Sequence, residues 1–207
     1  MNKILFRVYR VFCVQIPTLL NCFISGLHYH SSWIVKGRPV IIKRKWYERI
    51  FAHHNGGDIS IGVGFKCNNT VDSNSIGLIQ PCVFDIAIDN SKIIIGNNVG
   101  ISGSTINAAQ SITIEDNVLI GSGCIITDTD SHPLNYHDRI EDNASQTKVA
   151  PVLIKEGAFI GARCIIMKGV TIGSKSIIGA GSVVTKTIPD NVIACGNPAK
   201  IIKYIDE

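Results

Sequence analysis

Leucine is scarce in this 207-residue chain, which has 8 leucines against 36 isoleucines and 16 valines. Branching at Cβ favours extended backbone, whereas leucine favours helix, so this composition excludes a helical bundle or a coiled coil. Charged residues make up 17% of the chain and apolar residues 45%. That balance excludes a disordered chain, because enough apolar surface is available to bury. The composition therefore indicates a β-rich globular protein of one domain with at most a small appendage.

Paired cysteine motifs are also lacking. The seven cysteines are scattered along the chain, and no Cys-x-x-Cys occurs among them. Neither a zinc knuckle nor a dithiol redox motif is therefore indicated. The pattern favours small, reduced, buried thiols in a cytoplasmic protein.

Acidic residues are almost missing from the first quarter of the chain. Residues 1–49 hold nine basic residues and one acid, Glu48, so their net charge is +8, whereas the remainder carries −4. A basic segment of this kind suits an anionic surface or an oligomer contact. Basic and aromatic residues do not alternate over a long stretch, so nucleic acid is not predicted as a partner.

The apolar segment 4–27 lacks the properties of a membrane span. Arg7 and Arg10 interrupt it, so no apolar run is long enough for a bilayer, and no small-residue cleavage site follows. We predict that residues 1–58 form a short helical or extended segment, which packs on the rest of the protein or on a neighbouring subunit. Peripheral membrane contact through this segment is the alternative.

The isoleucines recur at intervals of six. The clearest run consists of β-branched residues at Ile154, Ile160, Ile166, Ile172, Ile178 and Val184. One inward aliphatic side chain followed by a turn describes one side of a triangular coil, and three such sides make a turn of eighteen residues. The spacing predicts a parallel β-helix in which Ile154 stacks on Ile172. Glycine follows the aliphatic residue at 161, 173 and 179, which suits corners that need positive φ or a close backbone approach.

The rhythm stops between Ile126 and Ile154. These residues are 28 positions apart, which is not a multiple of six, so we predict that loop 127–151 is extruded there. Long loops on a regular scaffold are often functional. This one concentrates polar and ionisable residues, namely Asp128, Asp130, His132, His137, Asp138 and Arg139.

Taken together, these motifs resemble the hexapeptide-repeat acyltransferases, and more narrowly the O-acetyltransferases of polysaccharide biosynthesis. The similarity spans about residues 59–203 and rests on the Ile-Gly rungs, on Asp-Thr-Asp-Ser-His-Pro at 128–133 with Arg139, and on Ala-Cys-Gly-Asn-Pro-Ala-Lys at 194–200. It implies an all-β fold with a left-handed parallel β-helix over residues 59–207. It also implies a homotrimer with active sites between subunits. CoA use and free cysteines favour the cytoplasm, and the basic segment favours the inner face of the cell membrane.

By this resemblance His132 is the catalytic base. A sugar hydroxyl is a poor nucleophile, and a histidine can take its proton during attack on the thioester carbonyl of acetyl-CoA. Asp128 or Asp130 is expected to orient the imidazole, although local loop hydrogen bonds explain either aspartate equally well. The backbone N–H of Ala162 is expected to stabilise the oxyanion.

The resemblance also implies where the two substrates bind. Acetyl-CoA is expected along the C-terminal rungs at Phe159, Gly161, Ala162, Ala180, Thr185, Lys186, Lys200 and Lys203. The acceptor side is expected at Ser102, Ser104 and Arg139. Maltose and galactoside acetyltransferases carry an acceptor-contacting asparagine in the stretch that is 100–105 here, and this chain has none. The difference argues against simple maltose or galactoside acceptors.

The loop histidines also allow a metal-site interpretation. His132 and His137 have a spacing that γ-class carbonic anhydrases could use for a metal, but no third histidine follows residue 54, so no metal is predicted. The favoured function is acetyl-CoA-dependent O-acetylation of a sugar in capsule, exopolysaccharide or O-antigen assembly. The alternatives are acetylation of another hydroxyl or amine, such as an antibiotic or a nucleotide-linked amino sugar, and a non-catalytic β-helix scaffold.

Overall fold

The structure is a computed structural model that describes residues 3–25, 27–43 and 58–205. Part of the predicted N-terminal segment, residues 44–57, lies outside the described residues. The chain begins with a helical segment formed by α1 (Lys3–Tyr9), a π-helical stretch (Arg10–Gln15) and α2 (Ile16–Ser25). The prediction of a short helical or extended N-terminal segment is confirmed, and the described residues up to Ser25 take the helical form.

The β-strands of the described residues, numbered in chain order, form three sheets that make the sides of a triangular coil. Sheet A contains β1 (Ile34–Lys36), β4 (Lys66–Asn68), β7 (Gly100–Ser102), β10 (Leu119–Ser122), β13 (Phe159–Ile160), β16 (Ile177–Ile178), β18 (Val192–Gly196) and β19 (Ala199–Tyr204). Sheet B contains β2 (Val40–Lys43), β5 (Val83–Ile86), β8 (Thr105–Ala108), β11 (Ile125–Thr127), β14 (Ile165–Ile166) and β17 (Val183–Val184). Sheet C contains β3 (Asp58–Ile61), β6 (Lys92–Ile95), β9 (Ser111–Ile114), β12 (Val152–Ile154) and β15 (Thr171–Ile172).

Successive strands of the coil pair in parallel, and β19 alone among the described strands pairs antiparallel, with β18. The chain thus forms the predicted left-handed parallel β-helix. In the described part of the chain after residue 57, the helical pieces outside the sheets are α3 (Tyr136–Ile140) and the 3-10 turns Val71–Ser73 and Ala144–Gln146.

The register confirms the six-residue rhythm. Ile154 pairs with Ile172, and Ile160 pairs with Ile178. All four side chains are fully buried, and each such burial contributes about 1.5–3 kcal/mol before the entropy cost. Earlier turns that carry no excursion are one to four residues longer than eighteen, because Ile120 pairs with Ile101 and Ile106 pairs with Phe84. This explains why the rhythm is weaker in the first half of the sequence.

The glycines after the inward isoleucines are required by close approach. A Cβ on Gly161 would lie 2.5 Å from the backbone N of Ala180 and 2.7 Å from the carbonyl O of Ile178. Neither Gly161, Gly173 nor Gly179 has positive φ. The sequence allowed two reasons for these glycines, positive φ or a close backbone approach. The close approach of stacked backbones in adjacent turns is the reason found.

Within residues 58–205, two excursions interrupt the coil. The predicted one leaves the corner between sheets B and C, since β11 ends at Thr127 and β12 begins at Val152. A second one, residues 69–82, leaves the corner between sheets A and B after β4. The six-residue pattern of the sequence does not reveal this second excursion, because the rungs around it are too irregular to show a gap.

Candidate active site

The excursion that carries His132 is tied to the coil at its base. Thr129 and Val149 form an antiparallel bridge, and the backbone N–H of Asp130 donates to the carbonyl of Lys148 at 3.1 Å. The Asp130 carboxylate also forms an ion pair with Lys168 of the next turn, with 2.7 Å between Nζ and Oδ1. The start of the loop is therefore held against two turns of the coil.

His132 itself is exposed. Its ring has no hydrogen-bond partner within residues 3–25, 27–43 and 58–205. The next residue, Pro133, is buried, so the backbone beside the imidazole is anchored while the ring faces solvent. This arrangement presents a titratable nitrogen to an incoming molecule.

Arg139 holds the same turn from the other side. Its Nη1 donates to the carbonyls of Pro133 at 3.0 Å and Leu134 at 2.5 Å. The helix α3 that carries it is capped by Asn135, whose Oδ1 accepts from the backbone N–H of His137 at 2.8 Å. Arg139 was expected on the acceptor side, but the contacts found for its guanidinium are with the loop backbone.

The two aspartates expected near the imidazole differ sharply in their contacts. Asp128 is fully buried, and its two oxygens accept from the backbone N–H groups of Ala109 at 2.7 Å and Gln110 at 2.8 Å. Both oxygens thus accept from backbone groups of the preceding turn. Asp130 Oδ2, in contrast, is buried with no hydrogen-bond partner among the described atoms. Of the two, only Asp130 keeps an uncommitted oxygen beside His132 in the chain.

Ser104 is not available to a substrate. It is fully buried, donates to the carbonyls of Ser102 and Gly121, and accepts from the backbone N–H of Cys124 at 2.9 Å. The expectation that it contacts the acceptor does not fit a saturated, buried hydroxyl. Ser102 is 7% exposed and its hydroxyl accepts from Asn68 Nδ2 at 3.0 Å, so it lies just beneath the corner between sheets A and B.

The corner between sheets A and B gathers Gly161, Ala162 and Ala180. Register pairs Ile160 with Ile178, so Ala162 and Ala180 lie on adjacent turns. The backbone N–H of Ala162 has no acceptor in the described part of the chain, whereas its carbonyl accepts from Gly181 at 2.8 Å. An uncommitted N–H at a rigid corner is the kind of donor that stabilises an oxyanion.

Phe159, Lys200 and Lys203 lie on the outer side of sheet A. Phe159 is 44% exposed. Lys200 pairs with Cys195 and Lys203 with Ile193, and an irregularity between Ile193 and Ala194 shifts the register. Residues three apart on a regular strand would face opposite ways, but the extra residue turns both lysines to the same face.

Thr185 and Lys186 follow β17 and are exposed at the corner between sheets B and C. They share that corner with the excursion of His132, while Ala162 and Ala180 lie at the corner between sheets A and B. The two corners are separated by the width of sheet B, about 16 Å for five extended residues. One chain therefore presents the expected site residues along two separate edges.

The second excursion forms a cleft that sequence reasoning missed. The cleft has a volume of about 250 Å³ and is lined by Ile76, Gly77, Leu78, Ile79, Ser122 and Arg163. Ser122 Oγ donates to the carbonyl of Gly77 at 2.8 Å, and Gln80 Nε2 donates to Thr105 Oγ1 at 2.7 Å. The loop is thus fixed against the corner that carries Ala162. Its mark in the structure is the spacing of 34 residues between the paired Cys67 and Ile101, which the irregular turns around it conceal in the sequence.

Five of the seven cysteines are buried, and Cys13 and Cys195 are exposed. Cys124 and Cys164 stack on adjacent turns, where a hydrogen bond from Cys124 lowers the pKa of Cys164 to about 7. Within the described ranges, no three His, Cys, Asp or Glu side chains are grouped so that they could hold a metal ion.

Comparison with known proteins agrees with this geometry. Residues 151–186 match the family described as bacterial transferase hexapeptide (six repeats), and residues 111–128 match the hexapeptide repeat of succinyl-transferase. A Staphylococcus aureus (strain COL) protein that is named an acetyltransferase is 35% identical, over 80% of this chain and 90% of that protein.

Solved structures give the same result. A maltose O-acetyltransferase from Clostridium difficile 630 superposes with a TM-score of 0.54 at 31% identity, over 73% of this chain and 69% of that one. A galactoside acetyltransferase in complex with coenzyme A gives a TM-score of 0.55 at 32% identity, over 72% and 66% of the two chains. This chain belongs to the hexapeptide-repeat acyltransferases, and it is an acyltransferase enzyme.

Proposed function

We propose that this protein transfers an acetyl group from acetyl-CoA to a hydroxyl of a sugar, in the assembly of a capsule, exopolysaccharide or O-antigen. The observation that carries the proposal is the exposed His132 imidazole on a loop whose backbone is held by Arg139 and by the Asp130–Lys168 pair. The related galactoside acetyltransferase has been solved with coenzyme A, which supports acetyl-CoA as the donor.

The chemistry follows from the available groups. His132 takes the proton of the acceptor hydroxyl while its oxygen attacks the thioester carbonyl carbon. The Ala162 N–H stabilises the resulting oxyanion. Collapse of the tetrahedral intermediate breaks the carbon–sulfur bond, and the CoA thiolate takes the proton from the imidazolium. Asp130, with one uncommitted carboxylate oxygen, is the better candidate to orient the ring.

The separation of the two corners supports a trimer. In one chain, the corner from which the His132 excursion leaves and the corner that carries Ala162 lie on opposite edges of sheet B, about 16 Å apart for five extended residues. Groups at corners that far apart do not reach one carbonyl. A site formed by the His132 corner of one copy and the Ala162 corner of the next removes this problem. The same pairing brings Thr185 and Lys186 of one copy opposite Phe159 and the C-terminal lysines of another, where acetyl-CoA would lie.

The acceptor side is proposed at the corner near Ser102, walled by the excursion 69–82. Related enzymes that acetylate simple sugars carry an asparagine in the corresponding stretch, which this chain lacks, and the apolar Ile76 and Ile79 line the neighbouring cleft. An acceptor larger than a free disaccharide fits this difference. The free thiols favour a cytoplasmic location.

The test is release of CoA thiol by the purified full-length protein with acetyl-CoA and a panel of acceptors. Nucleotide sugars, oligosaccharides, amino sugars and antibiotics distinguish the acceptor classes. We expect H132A to lose at least about a hundredfold in rate, since general-base catalysis contributes that much. The matched control is H137A, because His137 is exposed on the same loop. Equal rates for wild type and H132A would contradict the proposal, and failure of wild-type protein to bind acetyl-CoA in calorimetry would favour a non-catalytic scaffold.

A further inference from the structure

The N-terminal helical segment Lys3–Ser25 carries an apolar face that nothing in the described chain covers. Val8, Phe12, Ile16 and Leu20 recur every fourth residue, and Phe23 continues the row. Side chains at this spacing share one side of a helix. Each is more than 40% exposed, and Phe23 reaches 80%. Such a continuous apolar surface marks a contact with another phase or another molecule.

The opposite side of the segment is fastened to the first turn of the coil. Thr18 and Cys22 are buried, and Asn21 Nδ2 donates to the carbonyl of Val35 at 3.0 Å. Gln15 Nε2 donates to the carbonyl of Ser31 at 3.2 Å. These contacts fix the rotation of the helix about its own axis. The apolar face is therefore presented outward by the fold and is not the result of a loose terminus.

The charge around this face has one sign. Residues 1–47 contain no aspartate or glutamate, and Arg7 and Arg10 are exposed on the helical segment itself. A contact between copies of this segment would bring arginines together with no acid in the segment to offset them. An anionic lipid surface instead satisfies both the apolar face and the arginines, as in helices that lie in the membrane interface.

We propose that Lys3–Ser25 is a membrane-surface anchor that lies in the plane of an anionic bilayer. Phe12, Phe23 and the apolar side chains between them enter the boundary with the acyl chains, while Arg7 and Arg10 contact the lipid headgroups. No helix within the described ranges is long and apolar enough to cross a membrane.

The position of the anchor would place His132 close to the membrane surface. This one point rests on the proposed acetyl transfer. The helix packs on β1, while the His132 excursion leaves the turn formed by β10, β11 and β12. Three turns separate them, about 14 Å at the usual spacing of parallel strands. A bilayer-bound chain would hold His132 near the headgroups, within reach of a lipid-linked sugar.

The test is cosedimentation of the full-length protein with vesicles. One set contains phosphatidylcholine and phosphatidylglycerol in equal parts, and the other contains phosphatidylcholine alone. We expect wild-type protein to bind the anionic vesicles in a salt-dependent manner. F12E and F23E should each weaken binding by about tenfold or more, and the double change R7Q/R10Q should weaken it and reduce the salt dependence. The matched control is I88E, which places the same charge on an exposed isoleucine of the coil and should bind as wild type does.

Several outcomes would overturn the anchor. The wild-type protein could stay in the supernatant with anionic vesicles, or F23E could bind them as well as wild type does. I88E could also lose as much vesicle binding as F23E. Light scattering adds a further one: if F23E splits a larger assembly and wild type does not bind vesicles, the face is a subunit contact. Thermal unfolding checks that F23E is folded. If it is not, the vesicle binding of R7Q/R10Q tests the anchor in its place. Acetyl transfer to a soluble acceptor is measured separately, so failure of the anchor and failure of the proposed enzyme are distinguishable.

Discussion

Lys168 Nζ lies 2.7 Å from Oδ1 of Asp130, with the two side chains 26% and 10% exposed. This contact joins the beginning of the His132 excursion to the turn of the coil below it. Because the pair is partly shielded from water, removal of one partner leaves the other charge poorly solvated.

We predict that K168M lowers the free energy of unfolding by about 2 kcal/mol. Urea denaturation measures the change, and D130N in the K168M background should add little, since the two residues act as a unit. The matched control is K155M, because Lys155 pairs with Asp190 at 3.1 Å on an exposed surface and should cost at most about 0.5 kcal/mol. Equal losses of unfolding free energy for K168M and K155M would show that the Asp130–Lys168 pair stabilises the protein no more than an exposed ion pair does.

Arg139 is predicted to position the His132 turn. R139M removes the hydrogen bonds to the carbonyls of Pro133 and Leu134, so kcat should fall by about tenfold or more as the imidazole loses its placement. KM for acetyl-CoA should stay unchanged, because its expected contacts lie on other elements. Steady-state kinetics separate this role from direct acceptor binding. If Arg139 instead binds the acceptor, R139M would raise the acceptor KM and leave kcat near that of wild type.

The inward ladder of sheet C should dominate stability. Ile154 is fully buried between Ile114 and Ile172, so I154A should cost about 3 kcal/mol and I154V about 1 kcal/mol. Ile94 belongs to the same sheet but faces outward and is 40% exposed. I94A should therefore stay within about 0.5 kcal/mol of wild type. Urea midpoints check the ranking, and a similar cost for I94A and I154A would contradict the assigned inward face.

Stability should depend on acid pH through Asp116. Its carboxylate accepts from the backbone N–H of Asn97 at 2.7 Å and from Asn97 Nδ2 at 3.0 Å, and these bonds hold the pKa of Asp116 below its usual value of 3.8. A carboxyl group with a lowered pKa in the folded state contributes stability that is present above its unfolded pKa. That contribution is lost as the pH falls through the folded value.

The expected result is that wild type loses more stability than D116N when the pH falls below about 4. Urea midpoints measured at neutral pH and at steps below pH 4 give the comparison. D72N, on the exposed turn Val71–Ser73, is the control and should follow wild type. A pH profile of D116N that runs parallel to wild type would remove this role for the Asn97 contacts.

The regular part of the fold could be predicted because the pattern that specifies it repeats within a few consecutive residues. A six-residue period places one inward side chain on each side of the coil, so the pairing of Ile154 with Ile172 follows from counting along the chain. The break in that period located the excursion with His132 for the same reason. The excursion 69–82 escaped because the turns around it vary in length, and an irregular count hides an insertion.

The order of residues along the chain is enough to define the repeating inward face and the place where the excursion with His132 leaves it. The tertiary structure alone decided how the polar residues are used. The sequence motifs suggest Asp128 and Ser104 as site residues. In the structure, both side chains are buried and their oxygens bind backbone groups of neighbouring residues and turns. Lys200 and Lys203 share a face only because the pairing with β18 is irregular. These outcomes depend on contacts between residues far apart in the chain, which a local period does not encode.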